Sequence, residues 1–442
     1  MQRWLTMSAA ALGRAIAKGD IDPVDLAQTY LDAIDAHPFT SRIYTVVTRD
    51  RALVEAQAAS DRACLGQRKS ELDGVPVSWK DLFDTANVAT EAGSVLLANR
   101  MPASDCEALR CAGELGLVCL GKTHMSELAF SGLGYNPRTA TPPCVNDHDA
   151  VSGGSSSGAA ASVAFGLAPL AIGSDTGGSV RIPAAWNDLV GLKTTSGRLS
   201  LEGVVPLCAR FDTVGPLCRS VEDAALALAV LEGSKPANLT NSTLEGRRLA
   251  ICDTVALDSL RPEPRAAFDK AIDRLSAMGA VVERVEIPQV EEALALSGVL
   301  FAAEAYGTWK DTIEANPDLM YEEILMRFRG GADVSAPDYV AAWQKLDGLR
   351  QEYYAATRAY DAVLMPSSPI LPPNMERLGR DHDYYVSENL LALRNTRIGN
   401  LMGACALTLP TGFPSCGLMV TCPPMQERHL LRLGAAVENA LA

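Results

Sequence analysis

The stretch Ser152 to Pro183, SGGSSSGAAASVAFGLAPLAIGSDTGGSVRIP, constrains this chain more than any other part of it. It holds two Gly-Gly-Ser turns, Gly153-Gly154-Ser155 and Gly177-Gly178-Ser179, joined by a small-residue helix and a short apolar strand. Glycine pairs allow positive φ and close approach of the backbone, so each turn can present a serine with free N–H groups beside it. Such groups can cradle a phosphate or stabilise an oxyanion. A lone Gly-Gly-Ser is more often a plain tight turn. A lysine upstream changes that balance: Lys80 closes the apolar run Gly74-Val-Pro-Val-Ser-Trp-Lys and precedes Asp81.

In their order and spacing, Lys80, Ser155 and Ser179 resemble the Ser–cis-Ser–Lys triad of the amidase signature family, and residues 152–183 are similar to that family's signature throughout. The resemblance runs from the N-terminal helices to the C-terminal segment and weakens between about Val285 and Asn400. It implies an α/β fold: one large domain whose mixed, mostly parallel β-sheet is covered by helices on both faces. Residues 1–66 would be a helical N-terminal segment, 74–220 the signature core and 285–400 a variable region walling the substrate pocket.

Composition narrows the partners. The 442 residues suffice for a sizeable core, and 48% are hydrophobic. With 39 basic and 53 acidic residues the net charge is −14, and no basic face is visible, which disfavours nucleic acid. The eleven cysteines are single and irregularly placed, with no CxxC pair, and no secretory leader precedes them. They read as reduced, buried thiols in a cytoplasmic protein. The five histidines lie far apart, so no metal site is expected. No run reaches the roughly 18 apolar residues of a membrane span.

The strand and helix pattern is regular enough to read. Asp22-Pro23 opens a helix and a second covers Asp50 to about Cys64; packing, and contact in a homodimer, are their expected roles. Ser104 and Glu107 form a capping-box pattern before a strand at Leu117–Leu120. Ser220 should cap a helix through Leu231. Strands follow at Arg248–Cys252, Val281–Ile287, Ala362–Met365, Ala406–Leu409 and Gly417–Thr421, with helices at Pro264–Met278, Pro337–Tyr360 and from Gln426 onward. The aromatic residues Trp309, Phe328, Trp343, Tyr353 and Tyr354 are expected in the core rather than the pocket.

The resemblance assigns roles. Ser179 would be the nucleophile, Ser155 the proton relay and Lys80 the base, acting only if burial lowers its pKa. The N–H groups of Thr176, Gly177, Gly178 and Ser179 would form the oxyanion hole, with a cis peptide at Ser155. Asp175 and Arg181 would hold the loop, Ser156 would support the network, and Phe130 and Ser131 would line the acyl pocket. No metal or organic cofactor is called for. His124 stands where the family has Asn and is expected to be structural, not a base. Lys122, in a Gly-Lys-Thr string, sits on a strand rather than in a phosphate-binding loop. Ile182 occupies the position of the arginine that holds a carboxylate in malonamidase-like members, so malonamate is not the expected substrate.

The implied function is hydrolysis of a small carboxylic amide through an acyl-enzyme. The alternative is the glutamine-hydrolysing A component of an aminoacyl-tRNA amidotransferase, which works only with its partner subunits.

Overall fold

A computed structural model describes residues 2–442. Eleven strands form one sheet: β1 Tyr44–Val47, β2 Pro76–Lys80, β3 Val118–Thr123, β4 Leu170–Ser174, β5 Val190–Lys193, β6 Val214–Cys218, β7 Arg248–Cys252, β8 Val281–Val285, β9 Ala362–Pro366, β10 Cys405–Pro410 and β11 Gly417–Cys422. Their order is β1-β3-β2-β4-β6-β5-β10-β11-β9-β7-β8. Every residue of β2, β3, β4, β5, β6 and β9 is buried, as strands covered on both faces must be.

The sheet is mixed, and its parallel ladders are confined to the two flanks, β3-β2-β4 and β9-β7-β8. The span between them, β4-β6-β5-β10-β11-β9, is antiparallel, as is the β1–β3 edge. Antiparallel pairs therefore outnumber the parallel ones that the sequence led us to expect in the majority. Strand–helix–strand alternation, as in β7, helix Pro262–Ala277 and β8, reads as a parallel crossover. Antiparallel neighbours joined by short returns, such as β10 and β11, carry no such mark.

Local signals mostly set the helix ends. Asp22 Oδ1 accepts from Val24 N at 2.8 Å at the start of helix Pro23–Ala36, and Ser220 Oγ accepts from Asp223 N at 3.1 Å at the start of Val221–Glu232. The expected capping box at Ser104 does not form. Helix Glu107–Glu114 starts after Cys106 without a side-chain cap. Its first N–H groups are instead taken by neighbouring loops, Cys106 N by Asp84 O and Glu107 N by Glu202 O. Glu107 turns to Arg110.

The small residues of Ser157–Ala164 make a fully packed helix between β3 and β4. Phe328, Trp343 and Tyr353 are buried in the core. All cysteines except Cys64 and Cys111 are buried, and all eleven are free. No helix among the described residues is long and apolar enough to cross a membrane.

Candidate active site

Strand β2 ends at Lys80, in a layer flanked by β3 and β4, and its side chain is fully buried. Lys80 Nζ donates to Ser155 Oγ at 2.6 Å and to Ser174 Oγ at 2.8 Å. Burial lowers its pKa to about 7, although the carboxylates of Asp212 and Asp175 pull the other way. A lysine so placed is substantially neutral at physiological pH, the state a general base requires.

Ser155 follows a cis peptide bond with Gly154, where the resemblance put one. Gly154 leaves no space for a side chain, since a Cβ there would lie 2.4 Å from Gly134 N and 2.6 Å from Ser126 Oγ. Ser156 ties the two serine turns together. Its N–H donates to Ser179 O at 3.2 Å, and its hydroxyl donates to Ser174 O at 3.2 Å while accepting from Ser174 N at 3.3 Å.

Of the expected chain of three side chains, the Lys80–Ser155 link is in place. Ser179 borders the cavity, and its hydroxyl makes no hydrogen bond among the described residues. A serine hydroxyl that is free to turn about χ1 and unclaimed by the protein can be engaged by whatever enters beside it.

The loop carrying Ser179 is held by a buried ion pair. Asp175 meets Arg181 through Oδ1–Nη2 at 2.8 Å and Oδ2–Nε at 3.0 Å, with both side chains fully buried. Asp175 also accepts from Gly178 N at 2.8 Å, Val180 N at 3.1 Å and Asn400 Nδ2 at 2.9 Å. Burial alone would raise this carboxyl's pKa, but the Arg181 charge and hydrogen bonds, with Lys193 and Asn400, hold it well below the usual range. Arg181 continues to Thr396 O and to Asn400 Oδ1, each at 2.6 Å.

These contacts remove Gly178 from the expected donor set for an oxyanion, because its N–H is already given to Asp175. The N–H groups of Thr176, Gly177 and Ser179 make no hydrogen bond among the described residues. Gly178 is needed for shape: its φ is +140°, and a Cβ would come within 2.1 Å of Thr396 Oγ1. Thr176 donates its hydroxyl to buried Asp212, and Thr396 Oγ1 donates to Gly177 O at 2.8 Å, so the loop is braced on both sides.

A cavity of about 230 Å³ opens over this loop. Phe130 and Ser131 line it, together with Leu207, Phe301, Leu393, Arg327 and Arg397. The Ser131 hydroxyl is occupied: it donates to Asn389 Oδ1 at 3.2 Å and accepts from Tyr385 OH at 3.1 Å. Gly132 then accepts from Gly154 N at 2.8 Å, joining this wall to the turn before Ser155.

Other singled-out residues lie outside the cavity. Burial lowers the His124 pKa to about 4, so the ring is neutral, and its backbone does the structural work: His124 O accepts from Gly158 N at 2.9 Å. Lys122 is paired with Asp81 at 3.0 Å inside the core. Ile182 is fully buried.

Sequence reasoning missed Ser174, Asp212, Thr396, Asn400, Arg327 and Arg397. Ser174 stands at the end of a strand already recognised, next to Asp175, and was within reach. The others come from segments without a motif and are brought in only by the fold.

The family model described as Amidase matches residues 25–431. The 2-amino-5-chloromuconic acid deaminase of Comamonas testosteroni is 36% identical over 416 residues, covering 90% of this chain and 88% of its own. The A component of the glutamyl-tRNA(Gln) amidotransferase of Mycobacteroides abscessus is 30% identical over 99% of this chain and 98% of its own. Among solved structures, the native peptide amidase from Stenotrophomonas maltophilia superposes with a TM-score of 0.83 at 27% identity, over 98% of this chain and 96% of that one. With the family match, these likenesses and the Lys80–Ser155 contact beside a serine-bearing glycine turn, the chain belongs to the amidase signature family.

Proposed function

We propose that this C–N amide hydrolase cleaves a small carboxylic amide with Ser179 as nucleophile, Ser155 as relay and Lys80 as base. The observation that carries the reading is the 2.6 Å contact between Lys80 Nζ and Ser155 Oγ at a lysine whose pKa is lowered to about 7. Neutral Lys80 takes the Ser155 proton as Ser155 takes the proton of Ser179, and Ser179 Oγ bonds to the amide carbon. The carbonyl oxygen becomes an oxyanion, received by the free N–H groups of Thr176, Gly177 and Ser179. Collapse breaks the C–N bond, and the leaving nitrogen takes a proton back through Ser155. Water then attacks the acyl-enzyme by the same proton route and releases the acid.

Turnover of simple amides by the purified chain, with a fluorophosphonate labelling Ser179, tests this reading. Labelling at another residue overturns the assignment of the nucleophile. The second reading, the glutamine-hydrolysing component of an amidotransferase, is favoured by the 30% identity over nearly the full length of both chains. It predicts no hydrolysis of simple amides by the isolated chain. Self-association through the N-terminal helices, which border no part of the cavity, and residence in the cytoplasm, where eleven free thiols persist, belong to the same proposal.

A further inference from the structure

Arg327 and Arg397 both line the cavity that Ser179 also lines, and no carboxylate among the described residues pairs with either of them. Arg327 makes no side-chain hydrogen bond among the described residues, and its Nε is buried without a partner. Arg397 has one weak contact, Nη1 to Ser297 Oγ at 3.4 Å. Each lies over an aromatic ring of the same wall: Arg327 Cζ is 4.6 Å from the Phe130 centroid and Arg397 Cζ 6.0 Å from that of Phe301. Such faces orient the planar groups without neutralising them.

Other buried charges in this protein have strong partners: Asp175 matches Arg181, Asp81 matches Lys122, and Lys193 donates to the carbonyls of Thr194 and Ala404. Here burial lowers the Arg397 pKa to about 9, with the charge of Arg327 acting in the same direction. Both arginines are half-buried, and two like charges partly covered from water and left unpaired favour an anion that completes the set. Leu207, Ala302, Leu390 and Leu393 give the wall an apolar stretch that suits a short hydrocarbon between a reacting carbonyl and a charged end.

We infer that the cavity selects an amide bearing a carboxylate at the end remote from the scissile bond, with Arg327 and Arg397 receiving that carboxylate. A guanidinium presents paired N–H donors that match a carboxylate's two oxygens, so the pair would fix the substrate's axis and, through it, the carbonyl's position over Ser179. The proposal rests on the amide-hydrolase reading, and its test is built to fail separately from it.

In the wild type, the monoamides of succinic, glutaric and adipic acids are compared with butyramide, valeramide and hexanamide. At least one acid–neutral pair of equal length should differ by roughly 30-fold or more in kcat/KM in favour of the acid, chiefly through KM. Arg327→Met and Arg397→Met should each collapse that ratio towards unity, and Arg397→Lys should restore part of it. Equal turnover of acids and neutral amides overturns this inference and leaves amide hydrolysis standing. In parallel, calorimetry on Ser179→Ala measures binding of succinate, glutarate and adipate without turnover. At least one should bind, and each arginine variant in that background should weaken it by about 10-fold or more. No binding by any dicarboxylate, or binding that the arginine variants leave unchanged, overturns the inference whatever the kinetics. Failure to hydrolyse any amide, with dicarboxylates still bound, sinks the stand-alone amidase reading in favour of the partner-dependent one and leaves this inference standing.

Discussion

The segment 74–220 and the segment 285–400 face each other across one cavity and treat charge in opposite ways. In the first, charged side chains are buried and answered from within the protein: Asp175 by Arg181 and Lys122 by Asp81. Lys80 and Lys193 depart from that pattern: Lys80 has hydroxyl neighbours, Lys193 donates to two backbone carbonyls, and burial lowers the pKa of both. In the second, Arg327 and Arg397 stand on helices Glu322–Arg329 and His382–Leu401 and meet no acid. A region that satisfies itself can be rigid and carry chemistry. A region left electrostatically incomplete is positioned to choose what completes it.

The comparison breaks most sharply at Ser179. Ser179→Ala should lower amide turnover by roughly 10⁴-fold or more, with the circular dichroism spectrum and fold unchanged. A residual rate close to wild type would move the chemistry out of the first region. Lys80→Ala should cost about 10²- to 10⁴-fold across neutral pH, measured as kcat/KM. An ordinary rate in that variant would remove the base.

Asp175→Asn tests the self-satisfied character of the same region. It leaves Arg181 buried without its counter-charge and should lower stability by roughly 3–5 kcal/mol in urea denaturation. An unshifted midpoint would show that the pair is not needed to hold the loop.

The pH profile sharpens the contrast further. On the proposed mechanism Lys80 acts when neutral, so kcat/KM should rise with pH through about 7 and then level. The folded pKa lies below the ordinary value of 10.5, so between these values the folded state binds fewer protons than the unfolded one. This group therefore adds stability as pH rises across that window. The smallest effect belongs to His124→Asn, which should keep turnover within a few-fold, because its neutral ring borders no part of the cavity. A large loss would give that ring a role in the chemistry.

How far the sequence could be read follows from the same division. The glycine-rich turns at Ser155 and Ser179 were legible because backbone shape dictates residue type there: Gly154 and Gly178 cannot bear a side chain. Lys80 was legible through its apolar strand and its distance along the chain from the serines. The loss of Gly178 as a donor was not, since it depends on where the Asp175 carboxylate comes to rest. Nor were Arg327 and Arg397, whose helices show ordinary surface-like patterns and acquire meaning only once folded against the turns. The sheet's antiparallel centre escaped for a related reason: strand direction there is set by pairing across long sequence separations, as between β5 and β10.

The grip of Arg181 on Thr396 O and Asn400 Oδ1 carries a practical lesson for anyone shortening this protein. A fragment designed to end soon after the serine turns would keep every recognisable motif yet leave a guanidinium stranded in its interior. The serine-bearing loop and the far C-terminal third are one mechanical part, so truncation there should yield insoluble material rather than a smaller enzyme.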